Sequence, residues 1–354
     1  MQDVFKELLS ANNIGALVSS EVNRRCFTGF ASTDGYLAVC RDEAAFFTDS
    51  RFTEAAEKKI TGCPVRLLTD FSKQLPEFFA SHGVTEVLTE SERLTVCEYN
   101  KLCTDFSGTE VLSDGRLDAF INEKRIIKSQ DEIEKIRRAQ GIAEKAFDYI
   151  CGYIKEGMTE KQVQLELDYC MLRSGAEALS FETIAVSGAN TSLPHGVPSE
   201  KRIAGGDFIT LDFGAVYDGL HSDMTRTVIL GEPSDEQRRI YATVLAAQNR
   251  SLAALKAGVT CFDADKAARD VIADAGYGEF FGHGTGHGVG YEIHENPSLS
   301  PRGKDTLRAG YVVTVEPGIY LPGKFGVRIE DMALITDDGA LNLTACPKEL
   351  TVVG

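Results

Sequence analysis

The feature that most constrains this chain is an internal echo. "GDFITLDFG" at residues 206–214 returns as "GYVVTVEPG" at 310–318, aligning Thr210 with Thr314, Asp212 with Glu316 and Gly214 with Gly318 at an offset of 104. Upstream of the two copies, "GMTEKQVQLELDYCMLRSGA" from Gly157 and "GVTCFDADKAARDVIADAGY" from Gly258 both read Gly-x-Thr and then a helix that ends near glycine. Two copies are too few for a solenoid, so the pattern predicts a duplicated α+β fold whose halves are related by a pseudo-twofold. Each half then offers a carboxylate from the equivalent strand position.

The 354 residues leave room for a further domain ahead of the duplication. Residues 1–122 alternate strand-like stretches ("IGALVSS", "YLAVCRD", "AAFFTD") with helical ones ("SRFTEAAEKKI", "FSKQLPEFFASHG"), which reads as an α/β unit. Next comes a long amphipathic helix carrying Ile133, Ile136, Ala139, Ile142, Ala143 and Ala146 on one face, with Ser129 and Glu132 as its capping box. The boundary is placed just ahead of it, giving domains 1–122 and 123–354.

A formal net charge of -16 argues against nucleic acid or an anionic membrane as partner. There is no apolar run near membrane-span length, and the charged start does not read as a secretory signal. Nine cysteines without a C-x-x-C pair are expected to be reduced thiols, most of them buried, in a cytoplasmic protein.

The acids of the echo come in hairpins. Asp212 ends one strand, and Asp223 lies on the next, past the turn "YDG"; Glu316 and Glu330 repeat this on either side of "LPGKFG". One such acid alone reads as a surface carboxylate. Four converging in a core repel one another by several kcal/mol unless cations intervene, and two divalent ions balance four charges. His283 and His287 have the four-residue spacing of a zinc-binding helix. However, "GHGTGHGVG" has glycine at 282, 284, 286, 288 and 290 and no glutamate after the first histidine, so extended backbone is expected instead.

Asp212, Asp223, His287, Glu316 and Glu330, in "LDFGAVYDGLHSDMTRT", "GHGTGHGVGYEIHE", "VEPGIY" and "GVRIED", resemble the five-ligand site of the pita-bread metallopeptidases, the family of prolidase, aminopeptidase P and methionine aminopeptidase. "CFTGF", "GYLAV" and "FFTDSRFTEAA" resemble the creatinase-type amino-terminal domain of the proline-specific members. The resemblance implies that the second domain is a pita-bread catalytic domain, holding two divalent ions that activate a water for attack on a peptide carbonyl. It also implies that Asp212 chelates one ion, Asp223 and Glu330 bridge both, and Glu316 shuttles the proton. His195 in "PHGVP" and His294 would be active-site histidines, and Phe181 would pack on the substrate's proline. Arg328 would contact substrate or, with Thr225, orient a ligand carboxylate. His283 and His221 match no ligand.

The oxygen-rich donor set favours Mn(II), with Co(II) or Zn(II) as substitutes. The substrate expected is a peptide with proline in second position. Prolidases resembling this chain carry an arginine shortly after the "HE-x-P" segment, where this chain has Ser298, with Arg302 four residues on. That departure favours an Xaa-Pro aminopeptidase over an Xaa-Pro dipeptidase. More remote readings are a metal-free creatinase-like hydrolase and a non-enzymatic binding protein on the same scaffold. The family's habit of completing the site with a neighbouring amino-terminal domain implies a homodimer.

Overall fold

The structure, a computed structural model, describes residues 1–354. The chain forms two compact units, Met1–Arg125 and Ile126–Gly354. The expected boundary after residue 122 falls inside a helix, Arg116–Ile126, because its buried Leu117, Phe120 and Ile121 belong to the first unit's core.

In chain order the first unit contains α1 (Gln2–Phe5), β1 (Ile14–Val18), α2 (Glu21–Thr28), β2 (Tyr36–Val39), β3 (Ala44–Thr48), α3 (Thr53–Lys59) and β4 (Val65–Leu67). It continues with α4 (Phe71–Ser81), β5 (Glu86–Thr89), α5 (Val96–Asp105), β6 (Glu110–Leu112) and α6 (Arg116–Ile126). Its strands make one mixed sheet, ordered β4-β3-β2-β1-β5-β6. Successive strand residues point to opposite faces, and both faces are covered here. Ala16, Val18, Leu37, Val39 and Phe46 enter one core, while Leu17, Ala38, Ala45 and Phe47 enter the other. Hence the strands read as unbroken apolar runs.

The second unit is built twice. Its first half runs α7 (Gln130–Tyr153), α8 (Glu160–Arg173), β7 (Ala178–Leu179), β8 (Ile184–Ser187), β9 (Phe208–Phe213), β10 (Ala215–Tyr217), β11 (Leu220–His221) and β12 (Met224–Leu230). The second half runs α9 (Asp235–Ala254), α10 (Cys261–Asp274), β13 (Gly286–Gly288), β14 (Glu295–Leu299), β15 (Val312–Val315), β16 (Gly318–Leu321), β17 (Phe325–Arg328) and β18 (Asp331–Ile335), followed by β19 (Ala340–Asn342) and β20 (Val352–Val353). The caps repeat too. Capping boxes at Ser129/Glu132 and Ser234/Gln237 open α7 and α9, and Thr159 and Thr260 cap α8 and α10. Isolated antiparallel bridges, Thr159 to Arg202 and Thr260 to Thr306, tie both of those helix starts down.

In each half a long antiparallel pair, β9 with β12 or β15 with β18, carries a small inserted hairpin, β10/β11 or β16/β17. Alternation sorts the faces of the first pair. Ile209, Leu211, Phe213, Met224 and Val228 join the core formed with α7 and α8, leaving Thr210, Asp212, Thr225 and Thr227 on the opposite face. The Thr227 hydroxyl donates to the Arg328 carbonyl at 3.0 Å, so this polar face meets the second half.

All nine cysteines are free. Four are buried, three half-buried and two exposed, so burial is less general than the apolar contexts implied. Cys97 and Cys103 lie on α5, whose outward face is open to solvent. No helix is long and apolar enough to cross a membrane.

Candidate active site

Asp212 sits near the end of β9, opposite Thr225 on β12. Asp223 and Glu330 occupy matching places, one residue ahead of β12 and of β18, and Glu316 immediately follows β15. Each acid is therefore held at the root of an inserted hairpin, where paired backbone fixes its position.

His287 comes from β13, paired with β14 on one side and β15 on the other, and the expected extended backbone is present. A Cβ at Gly286 would overlap the Thr314 carbonyl, and one at Gly288 would overlap the Asn296 carbonyl. Only glycine permits both approaches. Gly282, by contrast, has open space around it.

The five predicted ligands converge. His287 Nε2 lies 3.5 Å from both Asp223 Oδ2 and Glu316 Oε1. Ligand atoms of Asp223, His287 and Glu330 fall within 4.8 Å of one another. Asp212 presents a buried Oδ1 with no protein partner. His287 Nδ1 sits 3.0 Å from the Gly288 carbonyl, which only accepts, so Nδ1 carries the proton and Nε2 is a bare lone pair. A lone pair facing two carboxylate oxygens is repulsive without a cation between them.

The electrostatics agree with this geometry. Burial, and then Glu330, Asp212 and Glu316, push the Asp223 carboxyl well above the usual range. Burial, followed by Glu316 and Asp212, does the same to Glu330. Glu316 is pushed up to about 8 by burial, against the opposing charge of Arg328 and with Asp212 adding to the rise. Burial, with His294 adding to it, pushes His287 down to about 4, which keeps the imidazole neutral. Three buried acids that resist ionising together, an orphaned buried oxygen on Asp212 and a neutral imidazole fit divalent cations with oxygen-rich coordination.

Arg328 and Thr225 hold the cluster from behind. Arg328 Nη2 donates to Asp212 Oδ2, Nε donates to Thr225 Oγ1 at 3.1 Å, and Nη1 donates to the Pro194 carbonyl at 3.1 Å and the Tyr320 hydroxyl at 2.9 Å. Four of its five N–H groups are thus committed inside the protein, which leaves little for the substrate contact expected of it. Thr225 Oγ1 donates to Glu330 Oε2 at 2.6 Å.

The cluster lines a cavity of about 800 Å³. Phe181, His195, His294, Ser298 and Lys161 are also on its walls. The His294 ring stands edge-on to His287, with centroids 4.4 Å apart. His283 reaches the cavity with both nitrogens engaged, Nδ1 near the Gly284 carbonyl and Nε2 near the Tyr320 hydroxyl, each at 2.8 Å. Burial, and then Arg328, push it down to about 4. His221 lies 2.9 Å from Ser180 Oγ and is not among the cavity-lining residues.

Other residues were not singled out from sequence. The Thr314 hydroxyl accepts from the His287 backbone N–H at 3.0 Å and donates to Glu316 at 3.3 Å. Its alignment with Thr210 in the echo was the available signal. Asp265 on α10 accepts from Thr285 N at 3.0 Å and pairs with Arg269 at 2.8 Å, and Arg269 donates to the carbonyls of Phe281 and His283. Together they pin the approach to β13. Nothing in an amphipathic helix pattern marks that contact, because it exists only once α10 packs on the loop.

Residues 134–337 match Metallopeptidase family M24, and residues 3–127 match the Creatinase/Prolidase N-terminal domain. The chain is 39% identical over 337 residues to a Pyrococcus furiosus protein named Xaa-Pro dipeptidase, with 94% of each chain covered. A solved structure described as Xaa-Pro dipeptidase from Bacillus anthracis is 39% identical, with a TM-score of 0.95 over 99% of both chains. One described as X-Pro aminopeptidase from Thermotoga maritima MSB8 is 36% identical, with a TM-score of 0.92 over 98% of this chain and 99% of that one. A match over more than half of the chain, joined to relatives aligned along nearly all of it, makes this protein a member of metallopeptidase family M24, peptidases that work with divalent metal ions.

Proposed function

We propose that this enzyme hydrolyses the bond between an N-terminal residue and a following proline, acting as an Xaa-Pro aminopeptidase on peptides longer than two residues. The observation that supports the hydrolytic reading is the convergence of five side chains able to ligate a metal, drawn from both halves, on one cavity. Asp212, Asp223, His287, Glu316 and Glu330 would hold two divalent ions, and their four carboxylates favour Mn(II). When bound, such ions make a water nucleophilic near neutral pH and polarise the scissile carbonyl.

The chain's own groups supply the rest. Glu316, steadied by the Thr314 hydroxyl, takes the water's proton on a carboxylate oxygen and passes it to the leaving proline nitrogen. His294, beside His287, hydrogen-bonds the oxygen on which negative charge develops, and His195 faces the same cavity from another loop. Phe181 offers an apolar surface for the proline ring. Arg328 and Thr225 keep Asp212 and Glu330 in place while charge shifts.

The names of similar proteins support proline specificity and divide over peptide length. Ser298 supports the longer peptide, since it lines the cavity as the strand-pairing partner of His287 and brings no charge for a dipeptide's carboxylate. A second reading, Xaa-Pro dipeptidase, is favoured by Lys161, which lines the same cavity and whose ammonium donates to the neutral Gln164 amide oxygen at 2.8 Å. We infer further that the enzyme is a cytoplasmic homodimer. Nine unpaired thiols support a reducing compartment, and sedimentation tests the dimer.

Manganese-loaded enzyme should cleave Xaa-Pro-Yaa peptides faster than Xaa-Pro. Cleavage confined to dipeptides would replace the aminopeptidase with the dipeptidase. The Glu316→Gln variant should fold and lose at least about 100-fold in turnover, a general-base contribution. Undiminished activity after exhaustive chelation would overturn the metal requirement.

A further inference from the structure

We propose that Glu160 is a positioning residue for His195, fixing through one buried carboxylate both ends of the loop that carries this histidine into the cavity. The role rests on the peptidase reading above, and it goes beyond it by naming what sets the geometry of that wall.

The loop leaves β8 at Ser187 and closes at Ser199, and its stretch from Pro194 to Pro198 lines the cavity. Glu160, the first residue of α8, is only 1% exposed. Its Oε1 accepts from Ser187 N at 2.7 Å and Ser187 Oγ at 3.0 Å, and its Oε2 accepts from Ser199 N at 3.0 Å and Ser199 Oγ at 2.7 Å. The Asn190 amide donates to both oxygens, at 3.0 and 3.2 Å. Backbone bonds add to the closure, from Glu160 N to the Lys201 carbonyl and from Lys161 N to the Ser199 carbonyl, each 3.1 Å.

The helix does not require Glu160 as its cap. Thr159 and Gln162 already form a complete capping box, so the Glu160 carboxylate is turned wholly to the loop. Burying a carboxylate is costly unless its lone pairs are satisfied, and here every contact on it comes from residues that bracket or lie within the loop. Only those residues gain position from that arrangement. The loop's middle is held independently by the second half, through Arg328 to the Pro194 carbonyl at 3.1 Å and Gly326 N to the Thr191 hydroxyl at 2.8 Å. His195, next to Pro194, thus projects from a segment anchored at its base by Glu160 and at its crest by Arg328.

The Glu160→Gln variant separates this role from bulk stability. A glutamine has the same shape but one acceptor oxygen, so in either orientation one serine N–H faces another donor. Amide exchange across 187–199 should accelerate while β9 and β12 keep their protection, and manganese stoichiometry should not change. Hydrolysis of an Xaa-Pro-Yaa peptide should fall by up to about 100-fold, the cost of a slightly misplaced group. That loss should shrink to under about 2-fold when measured in a His195→Ala background, as coupled sites require.

A full-sized loss in that background, or unchanged exchange across the loop, would overturn the proposal. If Glu160→Gln does not fold, Ser199→Ala removes one hydroxyl donor from the loop's side. It should cost less, and its cost should likewise vanish without His195; a cost that persists there overturns the proposal too. Were the wild type inactive on both peptide classes, the activity reading would fall while loop exchange still decided the clamp.

Discussion

Arg328 and Thr225 act on the cluster without belonging to it. Arg328 is 3% exposed and Thr225 fully buried, and they reach Asp212 and Glu330 respectively. A Thr225→Val variant keeps the shape and loses both the bond to Glu330 and the acceptor for Arg328. Manganese affinity should fall about 10- to 100-fold, the usual cost of losing a group that orients a ligand, as read by metal titration.

His283 makes a pH-dependent prediction of its own. Its ring faces Tyr320, Arg328, Arg269 and His195, and burial holds its folded pKa at about 4, below the ordinary 6.5. The neutral ring's contribution is therefore complete above pH 6.5 and fades as the pH falls toward 4. Over that window the melting temperature of His283→Gln should decline less steeply than that of wild type.

At the scale of elements, the glycine run and the echo were both legible, for different reasons. Alternating glycines rule out a helix, and β13 is the strand that remains, so the extended setting of His287 followed from local sequence. The repeated caps at Thr159 and Thr260 follow from the same local rules. The partner that requires Gly286 did not, since the Thr314 carbonyl it meets lies 28 residues on and arrives only through strand pairing. Gly286→Ala should push β13 from β15, cost about 1–3 kcal/mol of stability as an overpacked contact does, and weaken metal binding through His287. Thermal melting and metal titration of the one variant read both effects.

For the molecule as a whole, the cations and the fold are linked. The second unit concentrates three acids that ionise reluctantly together, Asp223, Glu316 and Glu330, so ions bound only by the folded state stabilise that unit. At an ion concentration of 100 times the dissociation constant the gain is about 2.7 kcal/mol. Chelation should lower amide protection in β15 and β18 while leaving β1 and β5 as they were, because the first unit's two cores hold none of the ligands.

Sequence alone determined the duplication, the α/β unit ahead of it, the carboxylates at matched strand ends and the extended backbone around His287. All of these rest on periodicity, caps and residue chemistry, which act over a few neighbours or repeat at a fixed offset. Tertiary structure decided which partner each buried carboxylate meets. Arg328 on Asp212, Thr225 on Glu330, Asp265 on Thr285 and Glu160 on Ser187 and Ser199 join residues 20 to 116 positions apart. Hydrogen bonds of that reach leave no period in a chain. They exist because packing brings strand, helix and loop together, and a buried carboxylate must then find its donors wherever packing has put them.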